Sequence, residues 1–341
     1  MSDRRLRWGI LGTGNIARQF ADGVLKSARR SDLAAVGSRS GDAARQFAQP
    51  RKIAGAHGSY EALLADPTVD AIYNSLPNSL HHEWTIKALR AGKHVLCEKP
   101  FALTHSEAQE MFAEARKASR VLVEAFMYRS HPLTHAVIDA VRGGEIGELK
   151  MVRTSFCYKT SRVDGNVRFA RELGGGGLMD VGCYCINFSR LMAGEEPIEI
   201  HASAHMHERD VDEMLVATMK FASGVVASFT CGMGVHADNT AYVCGTDGYI
   251  EIPIPWKPPV EKASYTLARS TPPKMDIAAG AAPRSPRETR TIDASKELYA
   301  LEADDFAAAV IDGKPTAVTE ADTLGNMAVL DEMRRQIGLE F

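Results

Sequence analysis

The chain has 341 residues, 45% of them hydrophobic and 24% charged, and carries a formal net charge of -3. That length exceeds what one hydrophobic core normally organises, so two domains are expected, and so small a charge gathers no polyanion, which sets nucleic acid aside as a partner. No stretch approaches the ~20 apolar residues a bilayer requires, the first residues form no signal-like apolar core, and the six cysteines (97, 157, 183, 185, 231, 244) fall neither in a CxxC pair nor at zinc spacing; the expectation is a soluble cytoplasmic protein with free thiols, no membrane partner and no metal.

From residue 7 to about residue 125, short apolar runs alternate with helical stretches. They fall at 8–11, 16–28, 33–37, 41–48, 71–76, 82–91, 94–97, 104–118 and 121–125. This βαβα rhythm predicts a parallel sheet with helices on both faces, here assigned to a first domain of residues 1–125. The second domain, 126–341, has another texture. A helix is expected over 132–142, a strand over 149–158 and a helix over 178–192. Strands follow at 198–206, 214–222, 224–231 and 240–252, with Ala222-Ser-Gly224 and Gly245-Thr-Asp-Gly248 as turns. Consecutive strands joined by tight turns predict an antiparallel sheet. Residues 253–290 hold eight of the fifteen prolines and are read as an extended or mobile excursion without assigned elements. Helices close the chain at 295–312, capped by Asp293 or Ser295, and at 320–337, capped by Thr319, the last being placed to return to the first domain.

The fold class expected is therefore an α/β N-terminal Rossmann domain plus an α+β C-terminal domain with a large, mostly antiparallel open sheet. Gly12-Thr13-Gly14-Asn15-Ile16-Ala17 matches GxGxxG/A between the first strand and the first helix. The first glycine permits the tight turn, the second admits the pyrophosphate, and Ala17 allows close packing, while the helix mouth offers free N–H groups to the anion. The second strand ends in Ser38-Arg39-Ser40 with no acid at its tip. Two hydroxyls and an arginine suit a 2′-phosphate, so NADP is the cofactor expected; the alternative is NAD, with Asp42 on the ribose.

Leu76-Pro77-Asn78-Ser79-Leu80-His81 and Glu98-Lys99-Pro100 each follow a predicted parallel strand, where polar residues face the ligand crevice. Leu76, Pro77, Asn78, His81, Glu98 and Lys99 therefore join the cofactor site. With its N-terminal GxGxxA, PNxxH and EKP motifs, the sequence resembles the glucose-fructose oxidoreductase / inositol dehydrogenase / rhizopine-catabolism (Gfo/Idh/MocA) family. The likeness extends through Glu124-Ala-Phe-Met-Tyr-Arg-Ser-His-Pro132 and Gly174-Gly-Gly-Gly-Leu-Met-Asp180-Val-Gly-Cys-Tyr184, which resemble the family's glycine-rich loop and catalytic helix. It implies that Lys99 is the central catalytic residue beside the nicotinamide. Desolvated there next to the positive ring, its pKa is expected to be lowered, suiting it to proton transfer. The peptide before Pro100 can be cis in such families.

On the helix from Leu178, Asp180, Tyr184 and Asn187 share one face, and Val181, Cys185, Phe188 and Met192 another, apolar one. Beside Lys99, Asp180 would orient a substrate hydroxyl and Tyr184 act as acid/base. Inositol dehydrogenase-like relatives carry histidine where Tyr184 stands, which turns the expectation toward sugar and dihydrodiol dehydrogenase relatives. Tyr128, Tyr158, Lys159, Arg162, Arg168 and Asn187 are candidates to line the substrate pocket. His201, His205 and His207 share a strand face, but no acid or cysteine recurs at ligand spacing, so no metal is assigned.

The function expected is NADP(H)-dependent hydride transfer at a CH–OH/C=O centre of a sugar or polyol. The rivals are trans-dihydrodiol dehydrogenase activity, and, from other classes, a non-catalytic NADP(H) sensor or a redox-neutral glycosidase. The C-terminal sheet has no evident helix for its far face, and the resemblance implies a homodimer or homotetramer through it.

Overall fold

The computed structural model describes residues 4–269 and 286–340. Its N-terminal half is a six-stranded parallel sheet built from β1 (Leu6–Leu11), β2 (Ser31–Gly37), β3 (Gly55–His57), β4 (Ala71–Asn74), β5 (His94–Glu98) and β6 (Leu122–Ala125), in the order β3-β2-β1-β4-β5-β6. Helices α1 (Asn15–Ser27), α2 (Gly41–Arg51), α3 (Tyr60–Leu64), α4 (His81–Arg90) and α5 (His105–Ala118) make the crossovers. Leu6, Trp8, Ile10 and Leu11 of β1 are fully buried, as expected of a central strand covered on both faces. The strand order reverses between β1 and β4. Ligands bind at such a switch point, in the crevice outside the carboxyl ends of the strands. Periodicity gave no sign of β3 and α3, which are three and five residues long.

After α6 (Pro132–Arg142) comes a second sheet of eight strands: β7 (Leu149–Cys157), β8 (Pro197–Met206), β9 (Asp212–Phe221), β10 (Val226–Gly232), β11 (Ala241–Gly245), β12 (Gly248–Ile252), β13 (Ala263–Arg269) and β14 (Arg287–Ile292). The order is β14-β13-β12-β11-β7-β10-β9-β8, antiparallel throughout except for the parallel pair β7 and β10. A π-helical turn, Leu178–Gly182, runs into α7 (Cys183–Ala193) on the inner face. Two expectations need correction. The proline-rich stretch 253–290 is not free of structure: β13 and β14 lie within it or overlap it and pair over Ala263–Ile292 to Ala268–Arg287, because the prolines flank the strands and leave their N–H donors intact. Its residues 270–285 lie outside those described. The helix expected from residue 295 begins at Leu298 instead, since the Asp293 carboxylate accepts the Lys262 N–H at 2.8 Å and is not available as a cap.

Both C-terminal helices return to the first sheet's layer. In α8 (Leu298–Asp312) the buried Asp304 accepts the backbone N–H groups of Arg29 and Arg30 at 2.8 Å each and the Lys296 ammonium at 2.7 Å. In α9 (Glu320–Gln336) Asp331 accepts the His105 N–H at 2.9 Å, while Thr319 and Asp322 form a capping box. Asp304→Ala would leave two part-buried donors and an ammonium without their shared acceptor. It is expected to cost about 3 kcal/mol in chemical denaturation, and a loss below about 1 kcal/mol would show that α8 is held by apolar packing alone.

Candidate active site

A cleft of about 650 Å³ opens where the ends of β1, β4 and β5 meet the inner face of the second sheet. Its wall includes Gly12, Thr13, Gly14, Asn15, Ile16, Ser38, Arg39, Leu76, Pro77, Asn78, His81, Glu98 and Lys99, all expected for a dinucleotide. Ser40 alone of that set stands outside it. Its hydroxyl accepts the Ala43 N–H at 3.3 Å and caps α2, and its own O–H remains a donor.

The helix mouth fits a pyrophosphate. Gly14 is the N-cap of α1 and supplies no side chain to the first-turn N–H groups, and the first turn carries no acid. A Cβ built on Gly14 would meet nothing within 4 Å, so the space before these donors is open to an anion. Gly12 adopts φ +96°, a conformation that favours glycine.

His81 is buried and braces two motifs, one ring nitrogen 2.9 Å from the Pro100 carbonyl and the other 2.8 Å from that of Leu76. Burial pushes its pKa down to about 4 against the pull of those carbonyls. A neutral imidazole donates from one nitrogen only, so one of the two contacts carries no proton. The Lys99–Pro100 peptide is cis.

The reactive end gathers Lys99 from the end of β5 and Asp180 from the π-helical turn. The Lys99 ammonium donates to the Asp180 carbonyl at 2.7 Å and lies 3.5 Å from its carboxylate, and both side chains are largely buried. Asp180 also accepts the Tyr158 hydroxyl at 2.6 Å and the Arg168 guanidinium at 2.7 Å. Burial alone would raise the Asp180 carboxyl, but Lys99 and Arg168 outweigh it and hold the group at about 2. Burial likewise presses the Lys99 ammonium down, yet Asp180, Cys183 and Glu98 leave its pKa above the ordinary lysine value. The lowered pKa expected for Lys99 is therefore corrected: desolvation is the largest single influence, but Asp180, Cys183 and Glu98 together outweigh it. Glu98, next in sequence, is buried, accepts the Tyr73 hydroxyl, and is raised by desolvation.

Tyr184 lines the cleft with its ring under Lys99, whose ammonium is 5.0 Å from the ring centroid. Its hydroxyl donates to Met127 Sδ at 3.2 Å, a weak acceptor, and burial raises its pKa well above the ordinary tyrosine value. Of the substrate candidates, Tyr158 and Arg168 line the cleft. Tyr128 and Asn187 do not. Both are buried behind it, the Tyr128 hydroxyl bonded at 2.5 Å to Asn187 Oδ1, which also accepts Arg129 at 3.2 Å. Asn187 lies beyond the cleft because its partners Tyr128 and Arg129 draw it into the layer between α7 and α9. Arg162 is exposed on the loop after β7 and Lys159 forms a bridge with Gly234, neither reaching the wall. His201 pairs with Glu199, and His207 has left β8 to pack edge-on against Phe169, so the three histidines do not converge. Gln19, Tyr60, Lys257 and Tyr299 also line the cleft, though no motif marks them. Gln19 and Tyr60 belong to α1 and α3, whereas Lys257 and Tyr299 are brought to the cleft by the segment after β12 and by α8.

Residues 6–126 match the oxidoreductase family with an NAD-binding Rossmann fold, and residues 134–251 the GFO/IDH/MocA C-terminal domain. The chain is 37% identical to the trans-1,2-dihydrobenzene-1,2-diol dehydrogenase of Mus musculus over 74% of its own length and 76% of the relative's. The Xenopus tropicalis protein of that name is 30% identical over 98% of this chain and 99% of its own. The chain belongs to the GFO/IDH/MocA oxidoreductase family. Among solved structures, a 3-ketoreductase from Actinomadura kijaniata in complex with NADP and TDP-benzene superposes with a TM-score of 0.86 at 30% identity, covering 98% of each chain. An aldose-aldose oxidoreductase from Caulobacter crescentus complexed with glycerol gives 0.87 at 27%, covering 98% and 97%. This family member is thus an oxidoreductase with a nicotinamide-dinucleotide fold and, among the described residues, no helix long and apolar enough to cross a membrane.

The glycine-rich loop is fixed from behind by Asp212 at the start of β9. Its carboxylate accepts the Leu178 N–H at 2.6 Å, and a Cβ on Gly176, where φ is +115°, would overlap it. Burial raises the Asp212 carboxyl to about 7, against the backbone N–H groups that pull it down. With the folded pKa above the ordinary 3.8, this group's stabilisation is complete below about pH 4 and is lost as pH rises through 7. The melting temperature of Asp212→Asn, which cannot ionise, should therefore rise relative to the parent between about pH 4.5 and 7.5. A difference that stays flat would contradict the buried, protonated carboxyl.

Proposed function

We propose that this chain is an NADP(H)-dependent dehydrogenase or reductase acting at a CH–OH/C=O centre of a sugar or polyol. The observation that carries the reading is the Lys99–Asp180–Tyr158–Arg168 network, set in the same cleft as the open glycine-lined mouth of α1. Gly12 to Ile16 would hold the pyrophosphate, and Ser38 and Arg39 the 2′-phosphate. No carboxylate among the described residues bonds at the tip of β2, and the Asp42 side chain pairs with Arg45, which favours NADP over NAD. When bound, the dinucleotide supplies or accepts the hydride. Asp180, ionised by its two cations, fixes the Lys99 ammonium, which then points a charge-assisted donor at the reacting oxygen. The Tyr184 hydroxyl, whose partner among the described residues is a thioether, would exchange a proton with that oxygen.

Lys99→Met should lower kcat by about 10³-fold and Tyr184→Phe by about 10²-fold, read as NADPH absorbance across aldoses, inositols and dihydrodiols, with NADPH binding intact in both. If Tyr184→Phe keeps more than half of the parent kcat, the proton belongs to Lys99 alone. If no carbonyl or hydroxyl compound turns over despite tight NADPH binding, a sensor or redox-neutral role replaces the proposal.

A second reading, trans-dihydrodiol oxidation, is favoured by the identity to the dehydrogenases of that name and by an aromatic wall. Phe156, which lines the cleft, stacks on Trp256 at 5.6 Å and 7°, and meets Tyr184 edge-on. Turnover of a cyclic dihydrodiol in preference to every sugar would select it.

The six cysteines are all free, which suits a reducing cytoplasm. The outward face of β8, β9 and β10 shows Ile198 at 67% exposure, Val216 at 50% and Val226 at 44%. Such a face is suited to a second copy of the chain, forming a dimer or tetramer. Light scattering at micromolar concentration should give at least a dimer, and Val216→Glu should dissociate it; a monomeric parent would end this assignment.

A further inference from the structure

The segment after β12 carries a lysine that neither the family's motifs nor the reactive network uses. Trp256 is buried against Phe156 and its indole N–H donates to the Ser155 carbonyl at 2.8 Å, while the Pro259 carbonyl meets the His131 ring at 3.2 Å. The short span between these anchors is thereby fixed, and Lys257 stands within it. Its ammonium reaches across the cleft from the second domain to the first, donating to Gln19 Oε1 at 3.3 Å. The Tyr299 hydroxyl of α8 meets the same oxygen at 3.4 Å. Gln19 follows Asn15 by four residues, so Lys257 stands one turn along the same face of α1 from the open helix mouth.

A neutral amide is a poor sole partner for an ammonium. Among the described residues Lys257 forms no ion pair, although two carboxylates lie in its cleft: Asp180 is held by Lys99 and Arg168, and Glu98 is buried and bonded to Tyr73. Lys257 itself is exposed at the cleft's edge, and partial desolvation there, with Lys99 as the next influence, lowers its pKa. One turn before Gln19 on α1 is the uncapped first turn, whose free N–H groups favour negative charge.

We propose that Lys257 is a phosphate-binding residue contributed by the C-terminal domain, meeting the dinucleotide's pyrophosphate from the side opposite to α1. The cofactor is then held between two domains and not on the Rossmann layer alone. The lysine exchanges the Gln19 amide for a phosphate oxygen, a charge-assisted contact, and Gln19 and Tyr299 keep the vacated space polar. This rests on the dinucleotide reading given above.

The test is equilibrium binding to the full-length protein, by nicotinamide fluorescence and calorimetry, with NADPH and with 2′-AMP as probes. The second probe carries the adenosine and its 2′-phosphate but no pyrophosphate. Lys257→Gln should weaken NADPH about tenfold and leave 2′-AMP unchanged, Lys257→Arg should restore most of the loss, and the salt dependence of NADPH binding should be shallower in Lys257→Gln than in the parent. An NADPH Kd within twofold of the parent in Lys257→Gln overturns the proposal while leaving the cofactor reading intact. If the only change is then a higher KM for acidic substrates, the lysine serves a substrate anion. An equal loss of both probes also overturns it, because the lysine would then be supporting the fold. A parent protein that binds no NADPH would bring down the dinucleotide reading itself.

Discussion

The ion pair between Lys99 and Asp180 is the constraint on which the working arrangement depends. Neither residue would be tolerated alone where it lies, because each is largely removed from water and would have to neutralise. Together, and with Arg168 and Tyr158 completing the carboxylate's contacts, they remain charged at neutral pH. The pair also joins the two sheets, since Lys99 ends a parallel strand and Asp180 lies on the π-helical turn against the antiparallel sheet. Charge placement in the cleft and the seating of one sheet against the other are thus one interaction.

The surroundings make sense as support for that pair. His81 fastens the loop after β4 to the loop carrying Pro100, so the two cofactor-facing turns move together. Asp212 holds the start of the helical turn that presents Asp180, and the glycines there leave room for its carboxylate. Preorganisation of this kind lets a site act through fixed dipoles without reorganising as charge develops on the substrate.

Features carried by local rules were readable from the residues. The parallel sheet, the glycine motif and the motif residues facing the crevice follow from short-range periodicity or from residues placed next to strand ends, whereas the meeting of Asp180 with Lys99 was implied by the family resemblance. Tyr128 and Asn187 escaped that logic, because helical spacing says which residues share a face but not whether that face meets a cleft or a buried arginine. Lys99 escaped it in another way. Its location was legible, but its pKa was not, since the balance between burial and the charges of Asp180, Cys183 and Glu98 is set by tertiary packing. The strands within 253–290 were hidden by prolines that sit beside the pairing segments and not in them. Lys257, Gln19 and Tyr299 carried no local signal at all.

The stitching by Asp304 has a consequence for how the chain is made. The amide groups it binds lie 274 and 275 positions earlier, at the edge of the very first crossover. A nascent chain emerging from the ribosome can form the β1 to β6 sheet well before α8 exists, but that sheet then waits with bare donors, and with the apolar flank of Trp8 and Phe20 lacking its Phe306 cover, until α8 has also been released. The nucleotide-binding half, made before the second sheet, is in this sense finished after it.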